Sequence, residues 1–209
     1  MSPKQDQPRT GGVPIPAWLP NAISVVRILL VPVFIWLASE CQLLAREGLP
    51  TSGPRTGAFA TLLAIGLSDM LDGFLARRYG LATVLGASLD ALADKIAQIG
   101  LLVFFTLDRG PGFATVPVWF VVFILARDLY MLTGWLIVRR KRAVVNVVHK
   151  FHGKLASVLI FALLLWITTG ATGNLLLPAL WLIVAVVVGS CAAYFRDGWV
   201  QLKASQASG

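Results

Sequence analysis

Charged residues are scarce in this sequence of 209 residues, and their scarcity limits the kind of protein it can encode. Asp, Glu, Lys and Arg make up 13% of the residues, against about 25% in a typical soluble domain. Hydrophobic residues make up 57%, and the mean hydropathy is +0.77. Because so few polar side chains are available to face water, a soluble enzyme and a disordered protein are excluded. We therefore predict an integral membrane protein.

Cysteine and negative charge are also scarce. The two cysteines, Cys41 and Cys191, are expected near opposite membrane faces and therefore unpaired, which excludes a secreted disulfide scaffold. Ten acidic residues face eighteen basic ones, for a net charge of +8. No basic stretch is interleaved with aromatic residues, so we interpret this charge as the positive-inside bias of a membrane protein. A nucleic-acid partner is not expected.

Long apolar runs take the place of the missing charge. A transmembrane helix needs about 20 mostly apolar residues, and none of the runs alternates as a barrel strand does. Six runs qualify: 21–40, 57–76, 82–107, 113–138, 153–170 and 174–195. We predict an all-α polytopic membrane protein with a six-helix bundle at 21–195. A polar, proline-rich tail at 1–20 would precede the bundle, and a second tail at 196–209 would follow it.

The basic residues are distributed unevenly among the predicted loops. If the N-terminus is cytoplasmic, the outside loops hold only Arg46, Arg55 and Arg109, and most other basic residues lie inside. By the positive-inside rule we expect both termini on the cytoplasmic side. Short loops and the lack of a transit segment favour a bacterial inner membrane.

Acidic residues within the apolar runs are the main functional signal, because an ionised Asp near the bilayer centre costs about 2.5–3.5 kcal/mol. Asp69 and Asp72 are three residues apart, and Asp90 and Asp94 are four apart, so each pair shares a helix face. Two antiparallel helices would bring all four together near the cytoplasmic end of the bundle. These hard oxygen ligands suit Mg²⁺, Mn²⁺ or Ca²⁺ rather than zinc.

A simpler interpretation is that the four acids only form ion pairs with nearby basic residues. The candidates are Arg77, Arg78 and Lys95. One carboxylate would favour this interpretation, but four at this spacing favour a site. Gly73 and Ala76 lie on the same stretch, and their small size would let a ligand approach the backbone.

As a pattern, the stretch is Asp69-x2-Asp72-Gly73-x2-Ala76-Arg77-x8-Gly86-x3-Asp90-x3-Asp94. It resembles the signature of the CDP-alcohol phosphatidyltransferase family, and every fixed position of that signature is filled. Eight positions are fixed over 26 residues, so an accidental match is not expected. The predicted six helices agree with the membrane bundle of the family, and the resemblance covers most of the chain.

The resemblance implies a reaction and roles for these residues. In the family, the hydroxyl of an acceptor alcohol attacks the β-phosphorus of a CDP-linked lipid such as CDP-diacylglycerol, and CMP leaves. The implied cofactor is a two-ion site for Mg²⁺ or Mn²⁺. Its implied ligands are Asp69, Asp72, Asp90 and Asp94, of which Asp94 is also the candidate general base. The implied contacts to CDP come from Asp69, Gly73, Ala76 and Arg77.

The acceptor is less well defined by these motifs. Arg27 and Pro32 resemble the first helix of bacterial phosphatidylglycerophosphate synthases, which implies glycerol-3-phosphate. Cardiolipin synthases of the family use phosphatidylglycerol and often carry an Arg–Asp pair in the fourth helix, as Arg127 and Asp128 do here. An inositol-phosphate acceptor is a third alternative. The predicted acceptor ligands are Arg127, Arg139, Lys150 and Lys154. Neutralisation of Arg127 by Asp128 or by a backbone carbonyl is the alternative, although adjacent helix positions do not face each other well.

Two other classes of protein remain as alternatives. An ion or proton transporter also uses acidic and basic residues within the membrane, although transporters usually distribute them along a path and often contain repeated halves. A family member without activity would serve as a structural subunit. The resemblance also implies a homodimer. Metal-dependent release of CMP would distinguish the enzyme from both alternatives.

Overall fold

The computed structural model describes residues 18–79, 84–140, 150–171 and 174–207. These residues form six α-helices, and no strand occurs among them. The helices are α1 (Leu19–Arg46), α2 (Ser52–Arg78), α3 (Val84–Leu107), α4 (Val118–Arg140), α5 (Lys150–Thr168) and α6 (Leu176–Ala207). The predicted all-α class is confirmed, and each predicted apolar segment corresponds to one helix.

The ends of the helices differ from the predicted segments most clearly at α4. The sequence predicts a helix from residue 113, whereas α4 begins at Val118. Residues 108–117 form a loop, in which Phe113 and Val116 are nevertheless buried. Hydropathy therefore includes these loop residues in the apolar run. Pro111 argues against a helix at this point, because it lacks the N–H group that a helix interior needs.

At the other end of the chain, α6 continues to Ala207. It thus includes most of the segment 196–209 that the sequence analysis assigned to a tail. The N-terminal helix begins at Leu19, within the segment 1–20. The division into a bundle and two tails stays a prediction.

The first three helices pack around α1. Helix α1 contacts α2 extensively and also contacts α3, whereas α2 and α3 contact each other much less. Val31, Phe34 and Ala38 are buried on one face of α1, at the three- and four-residue spacing of a helix stripe. The ring of Phe34 packs edge-on against that of Phe104 in α3, with centroids 5.9 Å apart. Helix α1 therefore contacts both helices that carry the acidic pairs.

The second half of the bundle is joined to the first mainly through α5. Helix α5 packs against α6 and α2, and α4 contacts α3 and α6. Gly66 of α2 lies directly against the ring of Phe161 in α5, so closely that a Cβ atom at residue 66 would collide with the ring. On the outer side, the indole rings of Trp119 and Trp181 stack with centroids 5.4 Å apart.

Buried polar contacts hold the α3–α4 loop against α1. Gln42, only 1% exposed, donates from Nε2 to the carbonyl of Asp108 at 3.1 Å, and its Oε1 accepts from the Gly112 amide at 2.8 Å. Arg46 Nη2 forms an ion pair with Asp108 Oδ1 at 3.1 Å. We call these four residues the loop clamp. It fixes the end of the bundle opposite the acidic pairs.

Much of the outer surface is apolar. Large hydrophobic side chains are exposed along the helices, among them Trp36 (63%), Met70 (73%) and Leu107 (74%). By length and composition, three helical segments among the described residues are long and apolar enough to cross a membrane. They are Asn21–Arg46, Ser52–Leu75 and Leu176–Ala193. Helix α5 contributes a shorter apolar segment, Leu155–Thr168.

Candidate active site

The four acidic residues singled out from the sequence lie together at one end of the bundle. Asp69 and Asp72 lie near the C-terminal end of α2, and Asp90 and Asp94 lie near the N-terminal end of α3. Their spacing places each pair on one side of its helix. All four carboxylates contact the same side chain, the guanidinium of Arg27 in α1. We call these four acids the carboxylate cluster.

The guanidinium of Arg27 occupies the centre of the carboxylate cluster and is fully buried. Its Nη1 lies 3.2 Å from Asp69 Oδ1, 3.0 Å from Asp90 Oδ1 and 3.3 Å from Asp94 Oδ1. Its Nη2 donates to Asp72 Oδ2. One cation thus contacts four carboxylates from two helices, and a net negative charge remains.

Arg27 reaches this position because it lies on the buried face of α1. Ser24, Arg27 and Val31 continue the three- and four-residue spacing of the apolar stripe toward the N-terminus, and all three are buried. The hydroxyl of Ser24 donates to Asp72 Oδ2 at 3.4 Å, and Arg27 Nε donates to Ser68 Oγ at 3.4 Å. Polar residues therefore replace apolar ones on this face where α1 passes the carboxylate cluster, as Gln42 does at the loop clamp.

The four carboxylates differ in exposure. The side chain of Asp72 is 4% exposed, whereas those of Asp69, Asp90 and Asp94 are 48%, 41% and 54% exposed. The second oxygen of Asp72, Oδ1, is buried and has no hydrogen-bond partner among the described residues. A buried carboxylate oxygen without a donor is costly, so this atom points to a ligand.

These residues fit a divalent cation. Asp69, Asp72 and Asp90 each offer a carboxylate oxygen, and the three oxygens lie within 4.8 Å of one another. Opposite ligands of Mg²⁺ lie about 4.2 Å apart at bond lengths of about 2.1 Å, so small movements would bring the three oxygens to coordinating distance. The donor set consists of hard oxygens, as Mg²⁺ and Mn²⁺ prefer. Asp94 is linked to this group through Arg27.

A second polar group lies next to the carboxylate cluster, between α3 and α4. Lys95 Nζ forms an ion pair with Asp128 Oδ2 at 2.6 Å, and Arg127 Nη1 pairs with Asp128 Oδ1 at 2.8 Å. Lys95 also donates to Gln98 Oε1 at 3.3 Å. The alternative that Asp128 neutralises Arg127 is therefore supported, because the long arginine side chain reaches its neighbour on the same helix.

Arg127 itself is nearly buried, with 10% of its side chain exposed. Its Nε has no hydrogen-bond partner among the described residues. The side chain therefore keeps one donor for a further acceptor atom even though its charge is paired with Asp128. Its assignment as an acceptor ligand stays a prediction.

The remaining predicted site residues are only partly described. Gly73 is partly buried on α2, and Gly86 lies on α3. The predicted CDP contacts Ala76 and Arg77 lie on α2, but their side chains fall outside the described part of the structure. The same holds for the predicted acceptor ligands Arg139, Lys150 and Lys154, of which the first lies on α4 and the others on α5.

The sequence analysis missed the role of Arg27 in this site. It named Arg77, Arg78 and Lys95 as possible ion-pair partners of the acids, whereas Lys95 pairs with Asp128 and Arg27 contacts all four acids. A signal was present, because Arg27 is the only charged residue between Thr10 and Ser39. A single charge in a long apolar run indicates a function or a buried partner.

Comparison with known proteins adds to this geometry. The chain is 30% identical over 203 residues to a CDP-diacylglycerol--glycerol-3-phosphate 3-phosphatidyltransferase of Bacillus subtilis, with 90% of this chain and 98% of the relative covered. It is 35% identical over 124 residues to a cardiolipin synthase (CMP-forming) of Streptomyces coelicolor. It is 38% identical over 130 residues to a probable phosphatidylglycerophosphate synthase of Mycobacterium tuberculosis.

The extent of these matches differs. The alignments cover 58% and 59% of this chain for the Streptomyces and Mycobacterium relatives, and about half the length of each relative, 52% and 55%. A family model described as CDP-alcohol phosphatidyltransferase matches residues 17–191, which include the carboxylate cluster and Arg27. The resemblance found in the sequence is thereby confirmed. The chain belongs to the CDP-alcohol phosphatidyltransferase family.

Proposed function

We propose that this protein transfers a phosphatidyl group from CDP-diacylglycerol to the hydroxyl of an acceptor alcohol and releases CMP. The observation that carries the proposal is the convergence of four carboxylates from α2 and α3, three of which offer oxygens within 4.8 Å of one another. In the reaction, the acceptor oxygen forms a bond to the β-phosphorus of the CDP-lipid. The phosphorus–oxygen bond to CMP breaks, and the acceptor hydroxyl loses its proton.

We assign the binding of two Mg²⁺ or Mn²⁺ ions to Asp69, Asp72, Asp90 and Asp94. When bound, such ions neutralise the diphosphate and stabilise both the attacking and the leaving oxygen. Asp72, being buried, holds its oxygens in place between α1 and α2. Asp69 and Asp90 are open on one side and can share a ligand with the substrate.

Asp94 is the most exposed carboxylate of the cluster, and we assign to it the proton of the acceptor hydroxyl. Gly73 and Ala76 would let the CDP group approach the backbone of α2, because neither has a large side chain. Arg77 would hydrogen-bond a phosphate through two donors, as a guanidinium can. These contacts, together with Asp69, form the proposed CDP site.

We further propose that all six helices cross the membrane, with the carboxylate cluster and both termini on the cytoplasmic side of a bacterial inner membrane. The exposed apolar surface supports this proposal, because a surface of this kind facing water would promote aggregation. CDP enters from water, whereas the diacylglycerol chains stay in lipid. A site at the end of the bundle is open to both. A homodimer is part of the same proposal.

Glycerol-3-phosphate is the proposed acceptor. The name of the Bacillus relative includes this acceptor, and the alignment with this chain covers 98% of that relative. The nearly buried Arg127 is linked through Asp128 to Lys95, which follows Asp94 in the sequence, and its Nε has no partner among the described residues, so it suits a phosphate on the acceptor. Arg139, Lys150 and Lys154 are proposed to assist it.

Phosphatidylglycerol is the second candidate acceptor, which would make the protein a cardiolipin synthase. The Streptomyces relative carries that name, and the ion pair of Arg127 with Asp128 is the feature of this chain that favours it. Inositol phosphate remains a third acceptor to be tested.

The deciding experiment measures CMP release from CDP-diacylglycerol by the purified protein with Mg²⁺ or Mn²⁺. Glycerol-3-phosphate, phosphatidylglycerol and inositol phosphate are supplied one at a time, and each reaction is repeated with a chelator. We expect release with glycerol-3-phosphate that stops on chelation. Release only with phosphatidylglycerol would make phosphatidylglycerol the acceptor in place of glycerol-3-phosphate. No release with any of the three from folded protein would favour an acceptor outside this panel first, and a role other than an enzyme second.

A further inference from the structure

Arg27 differs from the other charged residues of the site in its complete burial. Its side chain is 0% exposed, although it contacts four carboxylates of which three are 41% to 54% exposed. Burial of an arginine is costly unless all of its charge is compensated. Among the described residues, the compensation comes from the oxygens of the carboxylate cluster and the hydroxyl of Ser68. The guanidinium of Arg27 is therefore held by the carboxylate cluster as a bound cation would be.

The charge balance of the cluster depends on this residue. Four ionised carboxylates carry four negative charges, and the arginine stays protonated at any physiological pH. The cluster with Arg27 is therefore left with three negative charges, which attract a divalent cation. Without Arg27 the cluster would carry four negative charges and would attract the cation more strongly.

Arg27 and a divalent cation use the same carboxylates. Asp69, Asp72 and Asp90, which offer the three oxygens that fit a cation, all contact the guanidinium at the same time. A cation among these oxygens would lie within a few ångströms of another positive charge, and repulsion at that distance is large in a poorly solvated site. Contact of Arg27 with these carboxylates therefore opposes the binding of a cation by the same three residues.

We propose that Arg27 is a built-in counter-cation of the carboxylate cluster, which a divalent metal ion displaces when it binds. This inference rests on the proposed metal-dependent function and adds a positioning role for Arg27. The arginine holds the four carboxylates together in the absence of metal and lowers the affinity for the ion that replaces it. Metal binding is thereby an exchange of one cation for another.

The direction of the affinity change separates this role from a merely structural one. If Arg27 only positioned the carboxylates, its removal would weaken metal binding. If it is a counter-cation, its removal strengthens metal binding while it destabilises the metal-free protein. The two effects have opposite signs, and a loss of folding alone cannot produce both.

The test compares Mn²⁺ binding by the full-length wild-type protein with that of Arg27→Ala and Arg27→Gln, by calorimetry in detergent without lipid substrate. We expect a dissociation constant at least about ten-fold lower in both variants. The melting temperature without metal should fall, and the rise caused by Mn²⁺ should be larger than in the wild type. Arg27→Lys keeps the charge but replaces the guanidinium fork by a single ammonium group, so its Mn²⁺ affinity should lie between those of the wild type and Arg27→Ala.

Arg46→Ala is the matched control. It removes an arginine of the same helix whose ion pair, with Asp108, lies in the loop clamp at the opposite end of the bundle. It should leave the Mn²⁺ affinity unchanged. Equal or weaker Mn²⁺ binding by Arg27→Ala and Arg27→Gln would overturn the proposal.

A measurement on the wild-type protein covers the case in which Arg27→Ala and Arg27→Gln do not fold. The side-chain N–H resonances of Arg27, assigned by their loss in Arg27→Lys, should shift when Mg²⁺ is added, because the bonds to the carboxylates are exchanged. Unshifted resonances at saturating Mg²⁺ would overturn the proposal.

The same data distinguish this inference from the proposed function. If the wild type binds Mn²⁺ and Asp72→Asn does not, while Arg27→Ala fails to tighten binding, the counter-cation role is wrong and the metal site stands. If the wild type binds no Mn²⁺ and CMP release persists in chelator, the metal-dependent function and this inference both fail.

Discussion

At the scale of single residues, the four carboxylates are not equivalent. Asp72 is buried between α1 and α2 and contacts both Ser24 and Arg27, whereas Asp69 and Asp90 are about half exposed. A buried carboxylate contributes to folding as well as to ligand binding. If its negative charge is removed, the positive charge of its buried partner is no longer compensated. The exposed carboxylates contribute mainly to ligand binding.

Substitution of these carboxylates by asparagine should therefore affect activity equally and stability differently. The variants are Asp69→Asn, Asp72→Asn and Asp90→Asn. Each should reduce CMP release to background, because an amide is a poor ligand for a divalent ion. Only Asp72→Asn should also lower the free energy of unfolding by about 1.5–3 kcal/mol, the value of a hydrogen bond to a charged group. Activity assays and thermal denaturation in detergent measure the two effects.

Asp108→Asn is the control for these variants, because Asp108 lies in the loop clamp at the other end of the bundle. It should keep CMP release near the wild-type rate. Activity like that of the wild type in Asp69→Asn or Asp90→Asn would contradict the assignment of the metal ligands.

The acceptor residues give a separate prediction. Lys154→Ala should raise the KM for glycerol-3-phosphate much more than the KM for CDP-diacylglycerol, because it removes a charge proposed to bind only the acceptor phosphate. Steady-state kinetics with each substrate varied in turn will measure both constants. Lys203→Ala, outside the region that the family model matches, should change neither. Equal increases for both substrates would argue against acceptor binding by Lys154.

The carboxylate cluster was predictable from the sequence, and its central arginine was not. Asp69, Asp72, Asp90 and Asp94 follow helix spacing, so their grouping can be derived from local geometry. The contact of Arg27 with them joins residues 42 to 67 positions apart, and depends on how α1 packs against α2 and α3. Hydropathy and spacing carry no information on that packing.

At the scale of the helices, apolar runs predicted how many helices form but not where they end. Helix α1 extends six residues beyond the predicted end at residue 40, to Arg46, because helical hydrogen bonds continue through polar residues. The loop before α4 shows the opposite error. Phe113 and Val116 are apolar loop residues that are buried against Phe105 of α3, and burial does not require a helix.

Close packing between α2 and α5 leads to a stability prediction. Gly66→Ala should lower the free energy of unfolding by about 1–3 kcal/mol, because the new methyl group would collide with the ring of Phe161. Gly189→Ala is the matched control, since nothing lies within 4 Å of a Cβ atom at that position of α6. It should be neutral or stabilising by up to about 1 kcal/mol. Thermal denaturation in detergent compares the two variants.

A compensating substitution makes this prediction more specific. Phe161→Leu removes the ring that the methyl group meets, so the double variant should lose less stability than the sum of the single variants. Additive losses would show that Gly66 is needed for another reason.

At the scale of the whole molecule, the proposed orientation places the two ends of α2 on opposite sides of the membrane. Leu49 precedes this helix and Tyr79 follows it, and both are exposed. In a variant without Cys41 and Cys191, a maleimide that cannot cross membranes should label Leu49→Cys on intact cells. It should label Tyr79→Cys only after the membrane is opened.

Inside-out vesicles provide the control for this labelling. In them the maleimide should label Tyr79→Cys, and it should label Leu49→Cys only after the membrane is permeabilised. Labelling of both sites from the same side would contradict a membrane-spanning α2. Labelling of Tyr79→Cys alone on intact cells would place the carboxylate cluster on the outer side and reverse the proposed topology.

Helix α1 connects the carboxylate cluster with the loop clamp, so its length can be compared with the thickness of a bilayer. Its Arg27 contacts the carboxylate cluster, and its Arg46 belongs to the loop clamp. Arg46 lies 19 positions after Arg27, which is a distance of about 28 Å at 1.5 Å per residue, close to the thickness of about 30 Å of a hydrocarbon core. A thicker or thinner bilayer would leave a mismatch that α1 can relieve only by changing its tilt or by deforming the lipid. Lipid chain length would thus set how deep the carboxylates lie relative to the headgroups from which the substrate is drawn.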